Sequence, residues 1–315
     1  MFLCYYFSSL FYPVLLERKD RDGYMCTSKR FDKSYKIISN KEICAGYFEL
    51  KIKVDAVSRY CYPGQFFMID IPEVFLRRPI SIHCIGKGTV SFLYSVVGRG
   101  TKILSEMGRS SGSVISRRGE GKDGCDEIKM LGPLGRGYGL TSNASSKFLS
   151  CVSFDSYEKK SCPKSRDISF NPVIVAGGTG IASVHFLATK LSRKGILCYG
   201  VHSKKDLLCL DKFKKMGWEI VISTEDGSKG YRGYITDVLS ENLKAGDTLF
   251  ACGPIPMLKK VLRIAREKNI KGFVCLEEKM ACGIGNCQGC AVKINGENKL
   301  TCKDGPVFEI KDVEL

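Results

Sequence analysis

Four cysteines near the C-terminus, Cys282, Cys287, Cys290 and Cys302, constrain this chain more than any other feature. Their spacing is C-x4-C-x2-C followed by a distant fourth cysteine, the arrangement by which thiolates hold a [2Fe–2S] cluster. Soft thiolates suit iron. Gly283, Gly285 and Gly289 between them let the backbone wrap closely around an inorganic core. Downstream, Ala291–Ile294 and Asn298–Cys302 flank Asn295-Gly296, a hairpin signal that would fold Cys302 back toward the other three. Disulfides and a structural zinc site are the competing readings, although zinc more often takes two separate C-x2-C knuckles. The pattern describes an electron-transfer protein.

A chain of 315 residues has room for two or three domains, and 44% hydrophobic with 26% charged residues is a globular composition. Twelve of the sixteen cysteines lie outside the cluster without framework spacing. An iron–sulfur site also needs reduced thiols, so a cytoplasmic setting is expected. The formal charge of +16 comes from small lysine groups such as Lys159-Lys160, Lys204-Lys205 and Lys214-Lys215. No basic stripe with interleaved aromatics accompanies them, which argues against nucleic acid and leaves a solvated surface that also attracts anionic dinucleotides. Met1 to Leu16 is apolar, but it lacks a basic leader, contains Pro13, and is shorter than the roughly 20 residues of a membrane span. Residues 1–34 therefore read as an extension outside the fold, with no stable membrane insertion and with Met25 as a later start.

Between Tyr35 and residue 141, short runs rich in β-branched and aromatic residues (Tyr35–Ile43, Tyr47–Val54, Gln65–Ile71, Pro79–His83, Thr89–Val97) predict an antiparallel β-barrel. A short helix, Thr101–Met107, follows Gly98-Arg99-Gly100. Residues 109–126 and 142–170 read as insertions or linkers. From 171 to 270 the pattern alternates β and α, which predicts a doubly wound parallel sheet with ligands at the carboxyl ends of its strands. Expected there are strands Pro172–Ala176, Ile196–Val201, Trp218–Ser223 and Thr248–Ala251. The expected helices are Asp206–Met216, Tyr234–Leu243, Ile255–Lys268 and one carrying Ile181, Val184, Leu187, Ala188 and Leu191 at helical spacing. Residues 271–315 form a small C-terminal cysteine domain, completing a multidomain α/β plus β-barrel architecture.

Several segments carry binding chemistry. Gly177-Gly178-Thr179-Gly180 joins a strand to a helix, where amide N–H groups and the helix dipole favour phosphate; a tight βα turn is the bland alternative. Cys252-Gly253-Pro254 closes another strand, and Cys252 would face the crevice where a nicotinamide could stack on a flavin. Asp226, in Thr224-Glu225-Asp226-Gly227-Ser228, could bond a ribose. Arg78-Pro79-Ile80-Ser81 combines a cation for a diphosphate with a hydroxyl for the flavin N5 region, and Gly100-Thr101 opens a helix at a second phosphate site.

Taken in order, Tyr62-Pro63-Gly64-Gln65-Phe66, Arg78-Pro79-Ile80-Ser81, Gly132-Pro133-Leu134-Gly135, Ala176-Gly177-Gly178-Thr179-Gly180 and Ala251-Cys252-Gly253-Pro254 resemble the ferredoxin–NADP reductase superfamily. Glu277-Glu278-Lys279-Met280-Ala281-Cys282-Gly283-Ile284-Gly285, with Cys302-Lys303-Asp304-Gly305-Pro306-Val307-Phe308, is similar within it to the electron-transfer subunits of NAD-dependent (class 1B) dihydroorotate dehydrogenases. The resemblance implies FAD against Arg78–Ser81, Leu93, Tyr94, Ser95 and Gly100-Thr101. It implies NAD on the α/β domain and a [2Fe–2S] cluster on Cys282, Cys287, Cys290 and Cys302. It departs from the family at Ser95, where a basic residue is expected, and at Ser183, where proline is common.

The implied role is to carry electrons from the FMN of a partner dihydroorotate dehydrogenase catalytic subunit, two of each chain forming a heterotetramer, through the cluster and FAD to NAD+ in pyrimidine (UMP) biosynthesis. No acid–base catalyst is expected in this chain. Two alternatives stay open on the sequence: a subunit of a ferredoxin–NADP oxidoreductase or sulfide dehydrogenase complex, and a non-enzymatic iron–sulfur redox sensor.

Overall fold

The structure is a computed structural model, and it describes residues 29–108, 127–138 and 171–315. The expected insertions at 109–126 and 142–170, and most of the expected N-terminal extension, lie outside the described residues.

The first unit is a closed six-stranded barrel in the order β1-β2-β5-β4-β3-β6. Its strands are β1 (Phe31–Cys44), β2 (Tyr47–Lys53), β3 (Phe66–Ile69), β4 (Arg78–Gly86), β5 (Thr89–Ser95) and β6 (Glu127–Leu134). All neighbours pair antiparallel. Strand β1 begins at Phe31, inside the segment expected to lie outside the fold, because Phe31–Lys36 pair with Glu127–Gly132 to close the barrel. β6 was not among the expected strands. Its Gly132-Pro133 looks like a turn, yet Phe31 pairs opposite Gly132. Helix α1 (Arg99–Glu106) follows β5.

The barrel core contains Leu50, Ile52, Phe67, Ile69, Ile82, Phe92 and Met130. Strand β3 is buried on both faces. Phe67 and Ile69 point inward, while Phe66 and Met68 pack outside against Leu134, Cys290 and Cys302. That two-sided burial explains a continuous apolar run where a half-exposed strand would alternate.

The second unit is a seven-stranded sheet in the order β10-β9-β8-β7-β11-β12-β15. Six strands run parallel: β7 (Asn171–Gly177), β8 (Ile196–Val201), β9 (Glu219–Thr224), β10 (Tyr231–Arg232), β11 (Asp247–Cys252) and β12 (Lys271–Cys275). Helix α2 (Ile181–Lys190) and the short α3 (Leu210–Lys215) cover one face, with Ile174, Leu197, Tyr199 and Phe250 beneath them. Helices α4 (Ile235–Leu239) and α5 (Ile255–Glu267) cover the other, over Val173, Val175, Leu249 and Ala251. Alternate residues of one strand thus feed two cores.

The expected 271–315 segment is joined to the central sheet at both ends. β12 pairs in parallel with β11, and β15 (Val307–Glu309) pairs antiparallel with β12. Both belong to the central sheet, so the cysteine segment is an excursion of residues 276–306 between two strands of it. The burial of Phe273, Val274 and Cys275 gives the reason, since an unpaired edge there would leave backbone N–H and C=O groups unbonded beside apolar side chains. Within the excursion, hairpin β13 (Ala291–Ile294) and β14 (Glu297–Leu300) turns at Asn295-Gly296, both with positive φ (52° and 76°), as a type I′ turn requires.

Barrel and sheet lock together through two stacked histidines, with ring centroids 4.3 Å apart. His83 Nδ1 lies 3.2 Å from Ala182 O and His185 Nδ1 lies 3.1 Å from His83 O. Carbonyls only accept, so both rings carry their proton on Nδ1. His83 Nε2 is left to accept from Lys212 Nζ at 3.2 Å, and Lys212 also pairs with Glu49 at 3.3 Å.

Among the described residues no helix is long and apolar enough to cross a membrane.

Candidate functional site

The cysteine excursion lacks regular structure from Leu276 to Cys290, and its path is set by left-handed residues. Gly283 has φ +69°, and a Cβ there would lie 2.5 Å from Met68 Cγ, so glycine is required where the loop presses on the barrel. Backbone amides link the cysteines two by two, Cys287 to Cys282 and Cys302 to Cys290, while Cys302 also feels Cys282. Amide groups aim at their sulfurs. Asn286 N donates to Cys282 Sγ at 3.3 Å, Cys287 N to Cys282 Sγ at 3.4 Å, and Cys302 N to Cys290 Sγ at 3.5 Å. Burial raises the Cys282 thiol, but the surrounding amides outweigh it and bring it down to about 6. Burial and the neighbouring Cys290 push Cys302 up to about 12.

Two thiolate pairs with amides directed at sulfur fit a binuclear [2Fe–2S] cluster, two thiolates to each iron. Cys290 and Cys302 are buried against the barrel, whereas Cys287 is exposed at the outer end.

Of the expected flavin residues, Pro79 and Ser81 fall on the barrel face nearest the cysteines. Direct partners across β3 and β4 are Phe66 with Ser81, Phe67 with Ile80, Met68 with Pro79, and Ile69 with Arg78. Directly opposed residues share a face and sit about 5 Å apart. Ser81 and Pro79 therefore flank Phe66 and Met68, which pack against Cys290 and Cys302. Arg78 donates to Leu76 O at 2.6 Å, and its guanidinium lies against Gly100, where a Cβ would sit 3.2 Å from Nε. The structure thus joins Arg78 to the start of α1. There Thr101 Oγ1 accepts from Val97 N (2.9 Å) and Gly98 N (3.2 Å), fixing the loop that precedes the helix. A cation beside a glycine-rich helix start fits a diphosphate.

The three consecutive candidates on β5 separate. Leu93 packs outward against the sheet unit, and Ser95 is half-buried. Tyr94 turns into the barrel core, stacking on Phe48 and donating to Asn40 Oδ1 at 3.1 Å, so its side chain is not on the outer face. Ile80 is likewise a core side chain.

On the sheet unit the glycines divide into two roles. A Cβ on Gly180 would fall within 3.0 Å of Cys252 O, Cys252 C and Gly253 N, and one on Gly253 would meet Gly177. These glycines let two βα turns touch. Gly178, in the same turn, has φ +52° with nothing within 4 Å of a Cβ, so the space beside its backbone is open. Thr179 follows in the same turn. Asp226, at the end of β9, accepts from Ser228 N (2.9 Å) and Oγ (2.5 Å), and these bonds hold its carboxyl below the usual range.

Cys252 differs from expectation. Its residue is fully buried in the sheet core rather than lining the crevice, and the hydrogen bond with adjacent Cys275, together with burial, raises its thiol strongly. The group above it is Glu277, whose Oε1 accepts from Cys252 Sγ at 3.8 Å. Solvent reaches Glu277, yet the mass of protein around it desolvates the carboxyl and raises it. Sequence reading gave Glu277 no role. Its position just beyond the carboxyl end of β12 is the available signal, since ligands of open α/β sheets bind at that end.

Comparison with known proteins agrees with this geometry. Residues 277–314 match the iron-sulfur cluster binding domain of dihydroorotate dehydrogenase B, and residues 174–263 match the oxidoreductase NAD-binding domain. The chain is 34% identical over 290 residues to the electron transfer subunit of dihydroorotate dehydrogenase B (NAD(+)) of Fusobacterium nucleatum, covering 88% of this chain and 96% of that one. It is 36% identical over 278 residues to the corresponding subunit of Clostridium acetobutylicum, covering 87% and 93%. Among solved structures, the NADH-dependent reduced ferredoxin-NADP oxidoreductase superposes with TM-score 0.68 at 26% identity, covering 89% of each chain. A ferredoxin NADP+ reductase from Neisseria gonorrhoeae with bound FAD and NADP shares the fold (TM-score 0.55, 16% identity, 75% of this chain and 91% of that one). With its two thiolate pairs, its flavin-type barrel and its dinucleotide sheet, the chain belongs to the family of electron transfer subunits of NAD(+)-dependent dihydroorotate dehydrogenase B.

Proposed function

We propose that this chain takes electrons from an FMN-containing dihydroorotate dehydrogenase catalytic subunit and delivers them to NAD+, in pyrimidine (UMP) biosynthesis. When bound, the cluster carries one electron at a time while FAD exchanges single electrons or a hydride, which is why the two work in series. The observation that carries the reading is the shared wall of the barrel. Ser81 and Phe66 oppose each other across β3 and β4, and Phe66 packs in one cluster with Cys290 and Cys302. The flavin strand and the cluster ligands are therefore separated by about one strand spacing.

Each residue then has a positional task. Cys282 with Cys287, and Cys290 with Cys302, hold the two irons. Arg78 and the Gly100-Thr101 helix start hold the flavin diphosphate, and Ser81 offers its hydroxyl to the flavin edge where hydride leaves. Gly178 and Thr179 present backbone to the dinucleotide pyrophosphate. Exposed Cys287, with Asn286, Gln288 and Gly289 around it, marks the side through which a partner's electrons enter. Dihydroorotate oxidation belongs to that partner, joined here as two of each chain. Thiolate ligation suits the reducing cytoplasm.

The test is anaerobic dihydroorotate-dependent NAD+ reduction with the FMN subunit from the same source. NADH formation only in the mixture is expected. No NADH, from protein whose spectrum contains flavin and cluster bands, overturns the assignment.

A further inference from the structure

Thr301 Oγ1 is a buried hydroxyl with no hydrogen-bond partner among the described residues, on a residue that is fully buried and immediately precedes Cys302. Backbone pairing fixes where it stands. Hairpin β13–β14 ends on the pair Ala291 and Leu300, and one step further Thr301 N donates to Cys290 O at 3.0 Å. Thr301 is therefore the cross-strand partner of Cys290. Directly opposed side chains share a face and stand about 5 Å apart. Cys302 N, next in the chain, donates to Cys290 Sγ at 3.5 Å. The hydroxyl thus belongs to the buried cysteine pair.

The turn that carries Cys302 does not need this hydroxyl. Leu300 O accepts from Lys303 N (2.9 Å), Asp304 N (2.7 Å) and Gly305 N (3.3 Å), and Asp304 Oδ2 accepts from Leu300 N (2.8 Å). A hydroxyl taken out of water costs free energy unless it finds an acceptor, so buried ones are nearly always bonded. The acceptors this site gains on loading are sulfurs, because a [2Fe–2S] cluster held by Cys290 and Cys302 brings its own sulfides to their thiolates. The amides of Asn286, Cys287 and Cys302 reach sulfur from backbone that any residue supplies. Thr301 would add a donor that belongs to a side chain.

We propose that the Thr301 hydroxyl donates to a sulfur of the bound cluster and raises the potential at which one electron arrives from the dihydroorotate dehydrogenase partner. This rests on the reading of Cys290 and Cys302 as cluster ligands. Reduction adds one electron and moves no proton, and the hydroxyl keeps its hydrogen throughout. The added negative charge spreads over iron and sulfur, so a donor to sulfur stabilises the reduced form more than the oxidised one. Burial strengthens the bond, since no water competes for it.

The test is a redox titration, followed by electron paramagnetic resonance, of the purified full chain carrying its cluster and flavin. Thr301→Val keeps the shape and removes the hydroxyl. Its midpoint is expected to fall so that, at the wild-type midpoint, the ratio of reduced to oxidised cluster drops at least threefold, about 28 mV at 59 mV per tenfold for one electron. Thr301→Ser, which keeps the hydroxyl, is expected to stay near wild type. Thr301→Ser and Thr301→Ala repeat the comparison with smaller side chains that the site can hold, and the serine midpoint is expected to lie above the alanine one by the same amount. A wild-type midpoint for Thr301→Val, or equal midpoints for serine and alanine, overturns the proposal and leaves the ligands in place. A wild-type chain with no iron–sulfur signal overturns the ligand reading itself.

Discussion

Gly180→Ala and Gly178→Ala, two residues apart in one turn, separate packing from binding. A Cβ on Gly180 would lie 2.6 Å from the carbonyl carbon of Cys252, where ordinary contact begins at 3.4 Å. The turn would have to shift by about 0.8 Å against backbone atoms, which cannot rotate away as a side chain can. Overpacking of this kind costs about 1–3 kcal/mol, and a rigid neighbour puts Gly180→Ala near the upper end. Loss of chain entropy in the unfolded state returns about 0.4–1 kcal/mol, leaving a net loss of about 2 kcal/mol. Gly178→Ala meets no atom. It bears only the left-handed backbone cost of about 1–2 kcal/mol, with the same offset of about 0.4–1 kcal/mol, so its net loss is about 0–1.6 kcal/mol and centres below that of Gly180→Ala. Trp218, the single tryptophan, is buried in the same core and reports on this unit. Urea unfolding followed by its fluorescence should show a clearly lowered midpoint for Gly180→Ala and a small shift for Gly178→Ala. Calorimetry with 5′-ADP should show weaker binding for Gly178→Ala. A wild-type midpoint for Gly180→Ala would refute the argument that the two turns touch.

Other outcomes follow from the same geometry. Cys290→Ser and Cys302→Ser should lose the visible absorption of the cluster while flavin content persists, because the barrel holds the flavin independently; retention of full cluster absorption would remove them as ligands. Arg78→Ala should purify with several-fold less flavin per chain, read from absorbance after denaturation, and unchanged flavin would place the diphosphate elsewhere. The His83–His185 stack predicts acid sensitivity. Burial lowers both rings below their ordinary 6.5, His83 further through His185 and Lys212. The unfolded chain then binds more protons than the folded one, so stability is full above pH 6.5 and declines as pH falls below it. Groups facing the rings are Lys212, Glu49, Cys84 and Cys209. The protection factors of α2 and β4, corrected for the intrinsic pH dependence of exchange, should fall between about pH 7.5 and 5.5 more than in a His83→Gln/His185→Gln chain; an equal fall in both would dismiss the histidines as its cause.

Much of the fold was legible because it depends on local pattern. Runs of β-branched and aromatic residues marked β2 and β5, and the alternation of strand with helix marked β9. The strand-turn-helix at Gly177–Gly180 and the Asn295-Gly296 hairpin were set by residues adjacent in sequence. The errors cluster where distant segments decide. Helix α3 shrank to Leu210–Lys215 and α4 to Ile235–Leu239, since each is held by packing on the sheet rather than by propensity. β12 and β15 joined the central sheet because burial of Val274 and Phe308 against α5 outweighs membership in the cysteine unit. Tyr94 and Leu93, neighbours in sequence, diverged into different cores. Glu277 acquired significance only when β11 and β12 brought it over Cys252.

By itself the sequence marked the candidate ligand set, the order of the three units and the turns, because thiol spacing, glycine φ preferences and hydrophobic period are properties of short stretches of chain. Only the tertiary structure decided which cysteines lie together, which glycine is open and which packs, and how near β4 stands to Cys290 and Cys302. Those are outcomes of non-local pairing. β3 buries one face in the barrel and the other under Cys290 and Cys302, and no residue of β3 encodes that second contact without the excursion that returns to cover it.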